Sequence, residues 1–151
     1  MAEKNGVMVF AEQTDGHVHP VAYELLGKGR EIADALGVKL SAALIGSNIE
    51  EGAKELVYRG ADVVYLYDHE SLASFDIMNY RRNMVDLANE VQPQVILLGA
   101  TAIGRSLGPR LAAALDTGLT ADCTALEVDG EGHLVQIRPA FSGNILAHIK
   151  T

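Results

Sequence analysis

Four apolar runs, each followed by a segment of helical periodicity, constrain the fold of this chain most strongly. The runs are GVMVFA, VKLSAALIG, DVVYLYD and QVILLGA. They are continuously apolar, as strands of a parallel sheet buried on both faces are. Parallel neighbours need crossover connections, and these are right-handed. The sequence therefore predicts an α/β fold, a doubly wound and mostly parallel sheet with helices on both faces, whose strands include Val7–Phe10, Leu40–Ile45, Val63–Leu66 and Val95–Leu98.

Helices are predicted between these strands. Val21–Leu36 repeats apolar residues at helical spacing and is followed by Gly37, a residue type common just past a helix end. Similar patterns occupy NIEEGAKELVYRG, MNYRRNMVDLANEV and GRSLGPRLAAAL. Pro109 suits the first turn of a helix, where an N–H is not needed, so the last helix is predicted to begin near Gly104 or Arg105.

The pattern changes in the last quarter of the chain. TALEVD, HLVQIRPAF and NILAHIK alternate apolar and polar residues and are joined by short turns. They predict a short mixed or antiparallel extension near the C-terminus. A length of 151 residues suits one domain, assigned here to residues 1–151, and the stop directly after a strand pattern suggests a piece of a longer protein.

Composition narrows the function classes. The net charge of −8 disfavours nucleic-acid binding, which needs a basic face. No apolar stretch is long enough for a membrane span, and the charged first residues do not resemble a signal peptide, so a cytoplasmic protein is expected. A single cysteine, Cys123, fits a reducing compartment, and His17 and His19 lack a third ligand, so no metal site is predicted.

The turn GATAIGR lies where ligands bind in open α/β sheets, beyond the carboxyl end of a strand. The sequence contains neither GxGxxG nor GxxxxGK[ST], the two common phosphate-binding motifs. Arg105 and Arg110 follow the turn. They could serve a ligand or partner, or they could be solvent-facing residues paired with acids, and the sequence leaves both interpretations open.

Three segments resemble the alpha subunit of electron transfer flavoproteins, in the same order and across nearly the whole chain. They are VMVFAEQTDGHVHPVAYELLGKGREIADALG, ILLGATAIGRSLGPRLAAALDTGLTADCTAL and RPAFSGNILAHI. Ser142 stands where the family often has glycine. The resemblance implies the amino-terminal domain, which packs on a beta subunit, and the absence of the carboxyl-terminal FAD-binding domain. It also implies interface residues, for which the candidates are Gly104, Arg105, Arg110, Thr120 and Asp122.

The resemblance further implies an electron carrier rather than an enzyme. The heterodimer would pass electrons between acyl-CoA or other dehydrogenases and an acceptor, with flavin-based electron bifurcation as one form of this role. In bifurcating members an arginine of this domain faces a flavin held by the beta subunit. Arg138 fits that role, with Gly143 and Asn144 nearby.

Two alternatives stay open. One is an adenine-nucleotide-binding α/β domain, such as an ATP pyrophosphatase of related fold. That reading is weakened because AEQTDGHVHP, rather than a Ser/Gly-rich phosphate loop, follows the first strand. The other is a structural interaction domain without cofactor contact.

The absent phosphate-binding motifs and the absent second domain lead to a first prediction. The isolated 151-residue chain should purify colourless and bind FAD weakly or not at all, which absorbance after gel filtration measures. Stoichiometric yellow flavin retained without any other subunit would contradict it.

Overall fold

A computed structural model describes residues 6–121, 123, 125–140 and 145–150, with residues from 137 onward described as backbone only. The strands are β1 (Val7–Ala11), β2 (Gln13–Thr14), β3 (His17–Val18), β4 (Leu40–Gly46), β5 (Val63–Asp68), β6 (Val95–Leu97), β7 (Ala125–Val128), β8 (Leu134–Ala140) and β9 (Ile145–Lys150). The α-helices are α1 (Pro20–Leu36), α2 (Glu50–Tyr58), α3 (Ile77–Val91) and α4 (Ala102–Ala114), and a short 3-10 helix covers Glu70–Leu72.

Four strands form the predicted parallel sheet, in the order β5-β4-β1-β6. Strand β1 lies inside it, so that Val7 is opposite Leu40 of β4 on one side and Val95 of β6 on the other. The predicted fold class and all four predicted strands are confirmed, and the last strand ends at Leu97, one residue earlier than expected.

The side chains of β1 divide the interior into two cores. Val7, Val9 and Ala11 pack in the core that also contains buried residues of α1 and α2. Met8 and Phe10 pack in the second core, with buried residues of α3 and α4. Helices therefore cover both faces of the sheet, as doubly wound folds require.

Helix ends follow local chemistry. His19 Nδ1 accepts a hydrogen bond from the Val21 N–H at the start of α1, and Gly37 ends that helix with a φ of 68°. Asp76 caps α3 by accepting from the amides of Met78 and Asn79. These contacts satisfy groups that have no partner inside the helix.

The predicted start of α4 is wrong. The helix begins at Ala102, with Thr101 as its N-cap, and Pro109 lies inside it rather than in the first turn. Thr101 Oγ1 accepts from the Gly104 N–H at 3.1 Å, and this cap fixes the start two residues before Gly104. The helix tolerates Pro109 although proline removes one helical hydrogen bond.

Strands β7, β8 and β9 form a separate antiparallel sheet, which confirms the antiparallel character predicted for this region. Leu126, Val128 and Leu134 pack against the core that contains α1. The antiparallel sheet is thus attached through apolar contacts to the α1 face of the parallel sheet. Among the described residues, no helix has both the length and the apolar composition needed to cross a bilayer.

The two-core architecture predicts contrasting effects of two substitutions in α3. Met84→Ala should lower the free energy of unfolding by about 2–5 kcal/mol, because Met84 is fully buried and its loss leaves a cavity. Met78→Ala, at a side chain that is 63% exposed, is the matched control and should change the stability little. Urea unfolding followed by circular dichroism measures both, and equal effects would contradict the assigned packing.

Candidate functional site at the carboxyl edge of the sheet

The parallel sheet has its topological switch point between β1 and β6. From β1 the chain leads through α1 to β4 on one side, whereas β6 lies on the other side and leads into α4. Open α/β sheets bind ligands in the crevice at such a point, beyond the carboxyl ends of the strands. The residues that follow β1 and β6 therefore determine which ligands could bind at this edge of the sheet.

Two polar residues directly after β1 turn into the protein. Glu12 is 5% exposed and Gln13 is 7% exposed. Gln13 Nε2 donates to the Ile45 carbonyl oxygen at 3.1 Å, and its Oε1 accepts from the Gly16 N–H at 3.0 Å. Asp15 and Gly16 have φ of 51° and 84°, the left-handed geometry of a two-residue hairpin turn between β2 and β3.

Gln13 also connects this edge to α3. Its Nε2 lies 3.1 Å from the hydroxyl oxygen of Tyr80, which in turn lies 3.0 Å from the Leu72 carbonyl oxygen. Burial raises the pKa of the Tyr80 hydroxyl, and the hydrogen bond to Gln13 opposes this shift. Tyr80 therefore remains a neutral hydrogen-bonding group through the physiological range.

Glu12 is tied to the start of α4. The hydroxyl of Thr101, which caps α4 by accepting from Gly104 N–H, forms a hydrogen bond with Glu12 Oε1. The two residues are 89 positions apart in the chain. One hydroxyl thus joins the carboxyl end of β1 to the amino end of α4.

Gly104, a predicted interface residue, is buried within the chain. A Cβ atom at Gly104 would overlap the carbonyl oxygen of Gly99, whereas a Cβ at Gly108 would only meet Leu119 side-chain atoms at 3.8 Å. The glycine at 104 is therefore explained by close packing of α4 on the turn after β6. A role for Gly104 at an interface stays a prediction.

The two predicted arginines are exposed on α4. The Arg110 guanidinium donates to the Ser106 carbonyl oxygen at 2.8 Å, on its own helix. Both side chains lie on the surface, where a partner could reach them.

The other predicted residues lie beyond α4. Thr120 Oγ1 donates to Oε1 of Gln136 at 2.5 Å, which fastens the segment after α4 to the antiparallel sheet. Arg138 lies on β8 opposite Ala147 of β9, and its side chain is outside the described part of the structure. Asp122, Gly143 and Asn144 are outside the described residues.

A group of possible metal ligands lies at the turn between β7 and β8. Ligand atoms of Asp129, Glu131 and His133 are within 4.8 Å of one another. Asp129 Oδ1 accepts from the backbone N–H groups of Glu131 and His133, each at 2.9 Å. This hydrogen bonding is typical of an Asp that stabilises a turn.

Sequence reasoning overlooked Glu12, Gln13 and Thr101. The available signal was the position of Glu12 and Gln13 immediately after a fully apolar strand. A polar side chain at such a position either is buried with a hydrogen-bond partner or marks the end of the buried segment. The partners themselves, Thr101 and Tyr80, cannot be read from local sequence because they come from distant segments.

The packing of α4 predicts opposite effects for two glycine substitutions. Gly104→Ala should lower the free energy of unfolding by at least about 2 kcal/mol, because the new methyl group would overlap backbone. Gly108→Ala should leave the free energy of unfolding unchanged or raise it by up to about 1 kcal/mol. Alanine favours the helical conformation, and its methyl group would make only van der Waals contacts with the Leu119 side chain. Urea denaturation of the two variants tests this contrast, which would be refuted by equal stabilities.

Comparison with known proteins connects this architecture to a family. Residues 7–151 match the family model described as the electron transfer flavoprotein domain. The electron transfer flavoprotein subunit alpha of Clostridium acetobutylicum is 52% identical over 149 residues, which are 98% of this chain and 44% of the relative. Protein FixB of Clostridium saccharobutylicum is 52% identical over 150 residues, covering 99% of this chain and 45% of the relative.

A third relative belongs to a named enzyme. The lactate dehydrogenase (NAD(+),ferredoxin) subunit LctC of Acetobacterium woodii is 49% identical over 146 residues, or 97% of this chain and 35% of the relative. This chain spans less than half the length of these relatives. With a family match that begins at the first residue of β1 and covers all three sheets, the chain belongs to the electron transfer flavoprotein domain family.

Proposed function

We propose that this chain forms the amino-terminal part of an alpha subunit that, with a beta subunit, carries electrons between dehydrogenases and an acceptor in the cytoplasm. The observation that carries the proposal is the family match over residues 7–151, together with a 52% identical relative named as an alpha subunit. The role is that of an electron carrier, and it belongs to the complete complex.

The surface of α4 supports contact with a beta subunit. Arg105 and Arg110 are exposed there, and arginine is enriched at protein interfaces. Thr120 and Asp122, which follow α4, would extend this surface, and Gly104 would support it by letting α4 pack closely on the turn beneath.

FAD would be held by other parts of the complex, with Arg138 facing the flavin. The backbone supports this because β8 extends through Arg138 to Ala140 and is paired with β9, which gives the side chain a rigid mount. A guanidinium beside the flavin would favour its anionic reduced form by charge and hydrogen bonding. Gly143 and Asn144, between β8 and β9, would lie near the same cofactor.

The relative from Acetobacterium woodii favours a second form of the role. That protein is a subunit of a dehydrogenase named for NAD(+) and ferredoxin. A similar complex built on this chain would divide electrons between two acceptors. Two flavins for each heterodimer, and reduction of ferredoxin coupled to oxidation or reduction of NAD(H), would favour this form, whereas one flavin and one acceptor would favour the simple carrier.

The proposed place of Arg138 leads to a prediction for the complete complex. Arg138→Ala should make the neighbouring flavin harder to reduce, by the equivalent of about 1–3 kcal/mol, since the reduced anion loses a charged hydrogen-bond donor. Arg138→Lys should restore only part of the effect, because an ammonium lacks the planar fork. A redox titration of the flavin measures the shift.

Arg82→Ala is the matched control for this experiment. Arg82 is an exposed arginine of α3, outside the surface proposed to contact the beta subunit, so its removal should leave the flavin potential unchanged. Circular dichroism confirms that each variant is folded. If folded Arg138→Ala shows the potential of the unmodified complex, Arg138 has no role beside the flavin and the structural interaction domain is favoured.

A further inference from the structure

The amino terminus of α4 has the properties of an anion-binding position. The first helical hydrogen bond runs from Arg105 N–H to the Thr101 carbonyl oxygen, so the amides of the first turn before Arg105 have no partner inside the helix. These N–H groups and the helix dipole together favour negative charge. In open α/β sheets a ligand phosphate commonly takes such a position at the switch point.

Here a side chain of the protein already lies at this position. The Glu12 carboxylate is hydrogen-bonded to the Thr101 hydroxyl, which is itself bonded to the Gly104 amide of the first turn. The negative charge is therefore one hydroxyl group away from the helix amides. Glu12 is 5% exposed, so little water screens it.

We infer that Glu12 is the built-in counter-ion of α4 and that it excludes phosphate-bearing ligands, nucleotides included, from the switch-point crevice of this domain. A ligand phosphate entering the crevice would meet a buried carboxylate at close range, where like charges repel strongly. Glu12 thus determines ligand specificity by repelling phosphate groups, which commonly bind at the switch point of this fold.

The surroundings hold Glu12 in place. Its carbonyl oxygen accepts from the His19 N–H at 2.8 Å, and the next residue, Gln13, is fixed by its own buried hydrogen bonds. Moving Glu12 out of the crevice would require the β2–β3 hairpin to move with it. The position of Glu12 is therefore fixed by the fold.

The crevice is also narrowed sterically. A Cβ atom at Gly99 would meet Val21 Cγ2 at 2.9 Å, so α1 packs directly on the turn after β6. Gly104 packs against the same turn from the other side. Both helices therefore pack closely on the turn that borders the crevice.

This inference does not depend on the proposed electron-carrier function. It concerns one crevice in one domain, and it would hold equally for a structural interaction domain. If the chain is an electron carrier, the inference places every nucleotide or flavin phosphate of the complex outside this crevice.

Hydrogen exchange of the complete alpha subunit with its partner subunit tests the inference. Mass spectrometry would follow peptides that cover Gly99–Arg105, with and without inorganic phosphate or AMP as probes. In the unmodified protein neither probe should alter exchange in this segment. Glu12→Ala should exchange about tenfold faster there, because the capping network loses its charged member, and phosphate should restore protection.

Two further variants make the result decisive. Glu24→Ala removes an exposed carboxylate from α1 and should behave like the unmodified protein. Glu12→Gln keeps the size of the side chain and removes the charge, so it should also exchange faster, and it serves if Glu12→Ala fails to fold.

Two outcomes would overturn the inference. One is protection of Gly99–Arg105 by phosphate or AMP in the unmodified protein, which would mean that the crevice is open to anions. The other is unchanged exchange in Glu12→Gln, which would mean that the charge of Glu12 does not support α4. Electron transfer by the complex is measured separately, so failure here and failure of the proposed function are distinguishable.

Discussion

Burial of β1 between β4 and β6 is the constraint on which the rest of the structure depends. Each residue of Val7–Ala11 is at most 1% exposed, and alternate side chains enter opposite cores. Together with β4, β5 and β6, this strand supplies the apolar surface that the helices cover. Its hydrogen bonds to neighbours on both sides also fix the parallel order of the sheet.

The same constraint decides the character of the switch-point edge. The residues that directly follow the buried strand β1 lie at the crevice beside α4. These residues are Glu12 and Gln13. Both form hydrogen bonds within the domain. Glu12 is bonded to Thr101, and Gln13 is bonded to Ile45 and Tyr80. The side chains of Glu12 and Gln13 are therefore occupied by contacts within the domain.

The strands of the parallel sheet could be predicted because each is a continuous run of apolar residues, which is a local sequence pattern. Continuous apolar runs identified β1, β4, β5 and β6, and glycine after Leu36 identified a helix end. The start of α4 was misplaced because Pro109 was expected in the first turn, whereas Thr101 is the N-cap and Pro109 lies inside the helix, where proline costs about 3 kcal/mol or more.

The contacts at the edge could not be predicted in this way. The hydrogen bond between Glu12 and Thr101 joins segments from opposite halves of the chain, and no periodicity encodes such a pairing. The roles suggested for Arg138, Gly143 and Asn144 rest on family resemblance and stay predictions. The structure places the backbone of Arg138 on the extended strand β8. The flavin that it is proposed to face would be held by a partner subunit.

The central claim, that this chain works as one part of a flavin-containing electron carrier, is tested most directly by the flavin content and reactivity of the complete complex. The full-length subunit would be purified together with its partner, and bound flavin would be counted for each heterodimer and titrated with a dehydrogenase and its substrate. We predict at least one FAD for each heterodimer, reduced by the dehydrogenase and reoxidised by an acceptor. A folded, complete heterodimer without flavin, or with flavin that no dehydrogenase reduces, would contradict the claim.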